Sequence, residues 1–171
     1  MAFFDNTLLL SNSQAITTTA ASTIYDVTGA GSGVAPSMVF GSNTTTYGLD
    51  IGSGDGQATP VAYFTIITTG TGAGTVTFSV QAAPNNANSP GTWVTLASSA
   101  AYVGTTLIAG DTLSIPIPAF ALVGPAETLP RFYRFNYTVS GSATVTVTAG
   151  ILLNPPQGYV STQYSNNFTA V

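Results

Sequence analysis

The sequence predicts an all-β chain, a jelly roll or related β-sandwich of about eight to ten short strands with extended N- and C-terminal arms. Three observations lead there. Apolar residues alternate with Thr, Ser and Asn at a period of two in several runs. No stretch carries the 3.6-residue apolar period of an amphipathic helix. Gly, Pro and Ser clusters cut the runs at short intervals, as turns do.

Taken in order, residues 1–14 precede the first clear strand and read as an N-terminal arm. Residues 15–153 form the expected sandwich domain. Its first strand candidates are short: 21–27, 36–40 and 47–51. Residues 61–69 (VAYFTIITT) are apolar on both faces and predict a central, doubly covered strand. Residues 75–82 place Val76, Phe78, Val80 and Ala82 inward, with Thr75, Thr77, Ser79 and Gln81 outward. The Gly-rich stretch 70–74 between these two runs predicts a hairpin. Residues 93–97 and 112–117 give further short strands. In 112–118 the prolines Pro116 and Pro118 lack N–H groups directed to the same side, so this strand belongs at an edge. Residues 131–139 place Tyr133, Phe135, Tyr137 and Val139 on one face; 144–153 do the same with Val145, Val147, Ala149, Ile151 and Leu153. Ser140-Gly141-Ser142 between them predicts a second hairpin. Pro155-Pro156 ends the ladder, leaving 154–171 as a C-terminal arm with Tyr159, Tyr164 and Phe168 in polar surroundings. That segment is either unstructured or a docked arm with these rings as anchors.

Composition narrows the function. The 171 residues suit one domain, long enough to bury a core without staples. There is no Cys, Lys or His, and only 5% of residues are charged, against about 25% in an average soluble domain. Net charge is −4. Two arginines cannot neutralise a nucleic-acid backbone, so nucleic-acid binding is not expected. No apolar run reaches the length of a membrane-spanning helix, and the N-terminus has no signal-peptide pattern. Such a thinly charged surface suits a protein whose faces are covered in an assembly.

Catalysis is poorly supplied. Without His, Cys or Lys, the Ser–His, Cys–His and Schiff-base systems are ruled out. The carboxylates Asp5, Asp26, Asp50, Asp55, Asp111 and Glu127 are scattered, mostly in turns, where Asp bonds nearby backbone. A glycosidase would need two facing one cleft. The segment 50–56 (DIGSGDG) fails the EF-hand pattern, although an irregular oxygen-ligand site stays open there; it has no Lys for a phosphate loop. The expectation is a non-enzyme with no cofactor and no metal.

The two cations read as follows. Arg131 and Arg134 are three apart on a strand and so face opposite sides, which rules out a double clamp. Arg131 follows Pro130 at a corner. Arg134 shares a face with Phe132, Asn136 and Thr138; it pairs with an acid or anchors an interface, and Arg with aromatics favours the interface. Trp93, Tyr102 and the Tyr-rich strand 131–139 are candidates for stacking on a sugar; the alternative for Trp93 is that it fills the sandwich core.

Several segments in order resemble a known family. They are Asp5, residues 11–17 (SNSQAIT), 21–26 (ASTIYD), 50–54 (DIGSG), 95–99 (TLASS), Gly110-Asp111, 115–118 (IPIP), 131–137 (RFYRFNY) and 146–151 (TVTAGI). Together they cover about residues 5–153, and resemble the jelly-roll cement (decoration) proteins of tailed bacteriophages, the kind seen on a short-tailed Bordetella phage. The resemblance implies a jelly roll without catalysis on the outer capsid surface of the virion. It also implies binding to the major capsid protein, as a homo-oligomer with a dimer favoured. The interface candidates are Arg134, Phe132, Tyr159, Tyr164 and Phe168. The tail 154–171 is longer than that family core needs. The competing reading is a carbohydrate- or receptor-binding jelly roll of a virion.

Overall fold

A computed structural model describes residues 8–27, 60–118 and 130–152, and the backbone of 37–40 and 43–46. The strands, in chain order, are β1 (Leu9–Ile16), β2 (Ala20–Ala21), β3 (Tyr25–Asp26), β4 (Ser37–Phe40), β5 (Asn43–Thr46), β6 (Val61–Thr71), β7 (Thr75–Ala83), β8 (Asn85–Asn86), β9 (Ser89–Pro90), β10 (Val94–Ser98), β11 (Tyr102–Val103), β12 (Thr112–Pro116), β13 (Phe132–Ser140) and β14 (Thr144–Leu152). One 3₁₀ turn spans Gly104–Thr106.

The first sheet runs β1-β14-β6-β12 and the second β10-β7-β13-β2, with β11 also on β7 and β3 also on β13. All these pairings are antiparallel. Counting β2 with β3 and β10 with β11 as single interrupted strands, and leaving aside the two-stranded β4–β5 and β8–β9 ribbons, the path alternates between the two sheets at every step except β7 to β10, which is jelly-roll order. The all-β sandwich expected from the alternating runs is therefore the fold.

The alternation decides the core. From β7, Val76, Phe78, Val80 and Ala82 are fully buried, and from β14 Val147, Ala149 and Ile151. Phe64 of β6 reaches from the first sheet into a ring cluster of the second. Its centroid lies 4.9 Å from Phe135, 5.2 Å from Phe78 and 6.1 Å from Tyr137. Such tilted pairs add about 0.5–1.5 kcal/mol each beyond area burial. β6 is covered on both faces over Val61–Phe64, whereas Ile67–Thr69 are exposed.

Two expectations need correction. The stretches 70–74 and 140–142 are not hairpins: β6 and β7 lie in different sheets, as do β13 and β14. Crossing between sheets sets the core-facing apolar residues of the joined strands against each other. A period of two reads the same for either connection. The two crossings pack backbone to backbone. A Cβ on Gly72 would collide with the Ser142 carbonyl, and one on Gly74 with that of Ser140. Gly104 joins them, donating its N–H to the Gly74 carbonyl at 2.9 Å. The second correction concerns the N-terminal arm, whose boundary at residue 14 falls inside β1. Leu10 is buried and β1 pairs with β14, so residues 9–16 belong to the sandwich. Residues 1–7, the strand expected at 47–51 and the arm 154–171 lie outside the described residues.

The proline strand sits where expected. β12 ends the first sheet and pairs only with β6 among the described residues. Ile117 donates to the Pro60 carbonyl at 2.9 Å, and Asp111 accepts from Ile66 at 2.9 Å. Odd-numbered residues therefore bond to β6 and even-numbered ones face away. Pro116 and Pro118 fall on that free side.

Candidate functional site

The described residues offer no acid cluster for a metal: no group of three or more His, Cys, Asp or Glu side chains comes together. The segment 50–56 lies outside them. No helix among them is long and apolar enough to cross a membrane. The Tyr-rich strand cannot stack on a sugar, because Tyr133 and Tyr137 are buried in the core. Tyr102 packs against that core, edge-on to Phe78 at 6.3 Å. A cavity of about 170 Å³ opens between the β11 and β12 edges, lined mainly by Ile66, Phe78, Tyr102, Leu107 and Leu113. Its one carboxylate, Asp111, accepts a hydrogen bond from the Ile108 N–H at 2.9 Å.

The outer face of the second sheet is different. Residues opposite one another across three strands are Thr95 on β10, Gln81 on β7 and Arg134 on β13. Gln81 donates from Nε2 to Thr95 Oγ1 at 3.2 Å, which turns its carbonyl toward Arg134. Arg134 then donates from Nε to Gln81 Oε1 at 2.9 Å. Trp93, just before β10, lies under the guanidinium, 4.2 Å from Cζ to ring centroid. The core-filling alternative for Trp93 therefore does not hold; its ring is half-buried on the outer face. The neighbouring row is neutral: Ser79 opposite Asn136, then Thr77 opposite Thr138. Desolvation on this face pulls the Arg134 pKa below its ordinary value.

Arg131 behaves in the opposite way. It forms a two-point pair with Asp26, Nε to Oδ1 and Nη2 to Oδ2 at 3.0 Å each. Nη1 donates to Asn85 and Asn88, both at 3.0 Å. The side chain thus ties the start of β13 to β3 and to the β8–β9 turn. Its guanidinium sits 4.9 Å over the Phe132 ring. Phe132 lies on the same outer face as Arg134 but is only 3% exposed, so it supports the face and presents little of itself to a partner. Of the five interface candidates, the structure places Arg134 and Phe132 together; Tyr159, Tyr164 and Phe168 lie outside the described residues.

A comparison with protein families matches residues 10–152 to Bbp16. The chain belongs to the Bbp16 family. That name points to a protein of a Bordetella phage, which agrees with the resemblance read from the ordered segments. The Bbp16 match begins in β1 and ends at the last residue of β14, so it covers the jelly roll from first strand to last. No curated protein matches the chain. Within this Bbp16 domain, sequence reasoning missed the Trp93–Arg134 stack. The two residues are far apart in the chain, and the only signal was the outward register of Arg134 beside a lone tryptophan.

Proposed function

We infer that the protein is a bacteriophage capsid cement protein that binds the major capsid protein on the outer surface of the particle and stabilises it without chemistry. The observation that carries this reading is membership of a phage protein family across the whole sandwich. The thinly charged chain supports it, because such a surface suits a protein covered by neighbours. A cement protein acts by bridging subunits. Each contact is modest, and linkage across the lattice multiplies its effect. Copies would act as a homo-oligomer, most simply a dimer spanning two shell subunits.

The test compares particles with and without the protein. Purified protein is added back to stripped shells and the temperature of DNA release is followed. Release at a lower temperature from stripped particles, restored by add-back, is the expected result. Identical release curves would refute the role.

A further inference from the structure

We propose that Arg134, seated on Trp93, is a receptor for a carboxylate of a partner protein, and that this carboxylate belongs to the shell subunit on which the protein docks. The second half rests on the cement reading above.

The argument begins with what the guanidinium already does. Its Nε is committed to Gln81 Oε1 at 2.9 Å, and Gln81 is itself held by Thr95. One of its faces is covered by Trp93 at 4.2 Å. No described residue accepts a hydrogen bond from Nη1 or Nη2, and Arg134 pairs with no carboxylate among the described residues. The group is thus fixed along one edge and one face, and its two-nitrogen end is left open. That end matches the two oxygens of a carboxylate, and the ordering entropy has already been met by the stack and the Gln81 contact.

Arg131 supplies an internal control. It is the same residue type on the neighbouring stretch of chain, and the fold gives it Asp26 and two asparagine carbonyls. Among the described residues, the neighbours of Arg134 across and along the strands are neutral: Gln81, Ser79, Asn136 and Thr138. A half-buried cation surrounded by neutral hydrogen-bonding groups has the makings of an interface anchor with a polar rim.

The chemistry also selects the occupant. A nucleic acid needs many cations, and this chain has two, one of them already paired. A second copy brings no free anion by the same face among the described residues, since Asp26 is held by Arg131 and Asp111 lies beside the first sheet. A partner protein carrying an Asp or Glu fits the single fork.

The experiment uses empty shells of the cognate phage and full-length protein in co-sedimentation. Arg134→Gln, Arg134→Lys and wild type are compared after their urea midpoints are shown to agree. A parallel set of shells has its carboxylates capped with ethanolamine by carbodiimide coupling. Arg134→Gln is expected to bind native shells about 10- to 100-fold more weakly, the range of a charge-assisted hydrogen-bonded contact. Arg134→Lys keeps the charge without the fork and is expected to recover only part of that loss. Capping should lower wild-type binding to the level of Arg134→Gln while leaving the variant nearly unchanged. Three results overturn the proposal: equal binding of Arg134→Gln and wild type, equal loss of both on capped shells, or a variant that binds shells fully but no longer self-associates. If wild type fails to sediment with native shells, the cement reading falls first and this assignment with it.

Discussion

The glycines where the sheet crossings meet give the sharpest test of the fold. Gly74 has no positive φ, so Gly74→Ala tests space alone. Its new Cβ would sit 2.6 Å from Ser142 N and 2.7 Å from Ala143 N, besides colliding with the Ser140 carbonyl. Carbon contacts are comfortable near 3.5 Å, so the turn must retreat by roughly 0.8 Å or more. All the obstructing atoms are backbone of the other crossing, which cannot rotate away as a side chain would. Overpacking of this kind costs about 1–3 kcal/mol. The retreat also strains the bond from Gly104 N–H to the Gly74 carbonyl, 2.9 Å long, which adds about 1 kcal/mol. The expected total is about 3 kcal/mol, a fall of about 1.5 M in urea midpoint at a slope near 2 kcal/mol/M. Gly110 is the control. Its φ is +96° and nothing lies within 4 Å of an added Cβ, so Gly110→Ala carries only the backbone term, about 1–2 kcal/mol. At Gly72, with φ +84° and the Ser142 carbonyl in the way, both terms add. Urea unfolding followed by far-UV circular dichroism ranks the three variants. A Gly74→Ala midpoint no lower than that of Gly110→Ala would mean that the two crossings are not in contact.

Three further predictions rest on other parts of the molecule. Burial raises the pKa of Tyr137 above its usual 10.0, so the folded state holds that proton more tightly than the unfolded chain. Stability should therefore be independent of this group below pH 10 and fall as pH rises beyond it; in Tyr137→Phe the alkaline decline in urea midpoint should be shallower, and an unchanged slope would refute the assignment. At neutral pH the same variant loses the bond to Ser11 Oγ, 2.7 Å long, at a cost of about 1 kcal/mol, because Ser11 still donates to Gln14. Binding to shells should change little up to about 0.5 M salt, since few charges are available to screen and a desolvated fork is screened weakly; stripping of the protein by such salt would contradict this view of the interface. A Pro116→Thr, Pro118→Thr double variant restores two N–H donors on the open side of β12 and should self-associate in light scattering; a variant as discrete as the parent would show that the prolines do not guard that edge.

What the sequence made legible, and what it did not, follows from burial. β7 and β14 each bury one face completely and β13 does so over Tyr133, Phe135 and Tyr137, and a buried face imposes a period of two that can be read directly. The edge position of β12 was legible because a missing N–H is a property of the residue itself. Partner choice was not. The apolar faces of β6 and β7 would look the same paired in one sheet or stacked across two, and the glycines between them serve either turn. β1 was missed because Ser11 to Gln14 is polar and irregular. Its pairing with β14 shifts register twice, and Ser13 has φ +48°, so the alternation is broken where it would have been read. The outward direction of Arg134 was legible from Phe132, Asn136 and Thr138. The platform beneath it was not, because Trp93 reaches it across β7 from the residue preceding the edge strand β10.

These features bear on one problem that a sheet protein without lysine must solve. An exposed edge offers unpaired N–H and C=O groups to any passing strand, and charged side chains are the usual deterrent. Here the two sides of the sandwich are handled differently. On the β1 side the edge is closed by the chain itself: Thr23 donates from its N–H and hydroxyl to the Leu10 carbonyl, and Gln14 donates to the Ala21 carbonyl. The register shifts of β1 also prevent a straight strand from adding to it. On the β12 side no such bonds span the gap among the described residues, and the cavity lined by Tyr102 and Leu113 opens there. Prolines at alternate positions remove the donors a new strand would need. Register shifts and prolines thus guard β1 and β12, and the outer face of the second sheet, where Arg134 lies on Trp93 without a carboxylate partner among the described residues, is the surface proposed above for a specific partner.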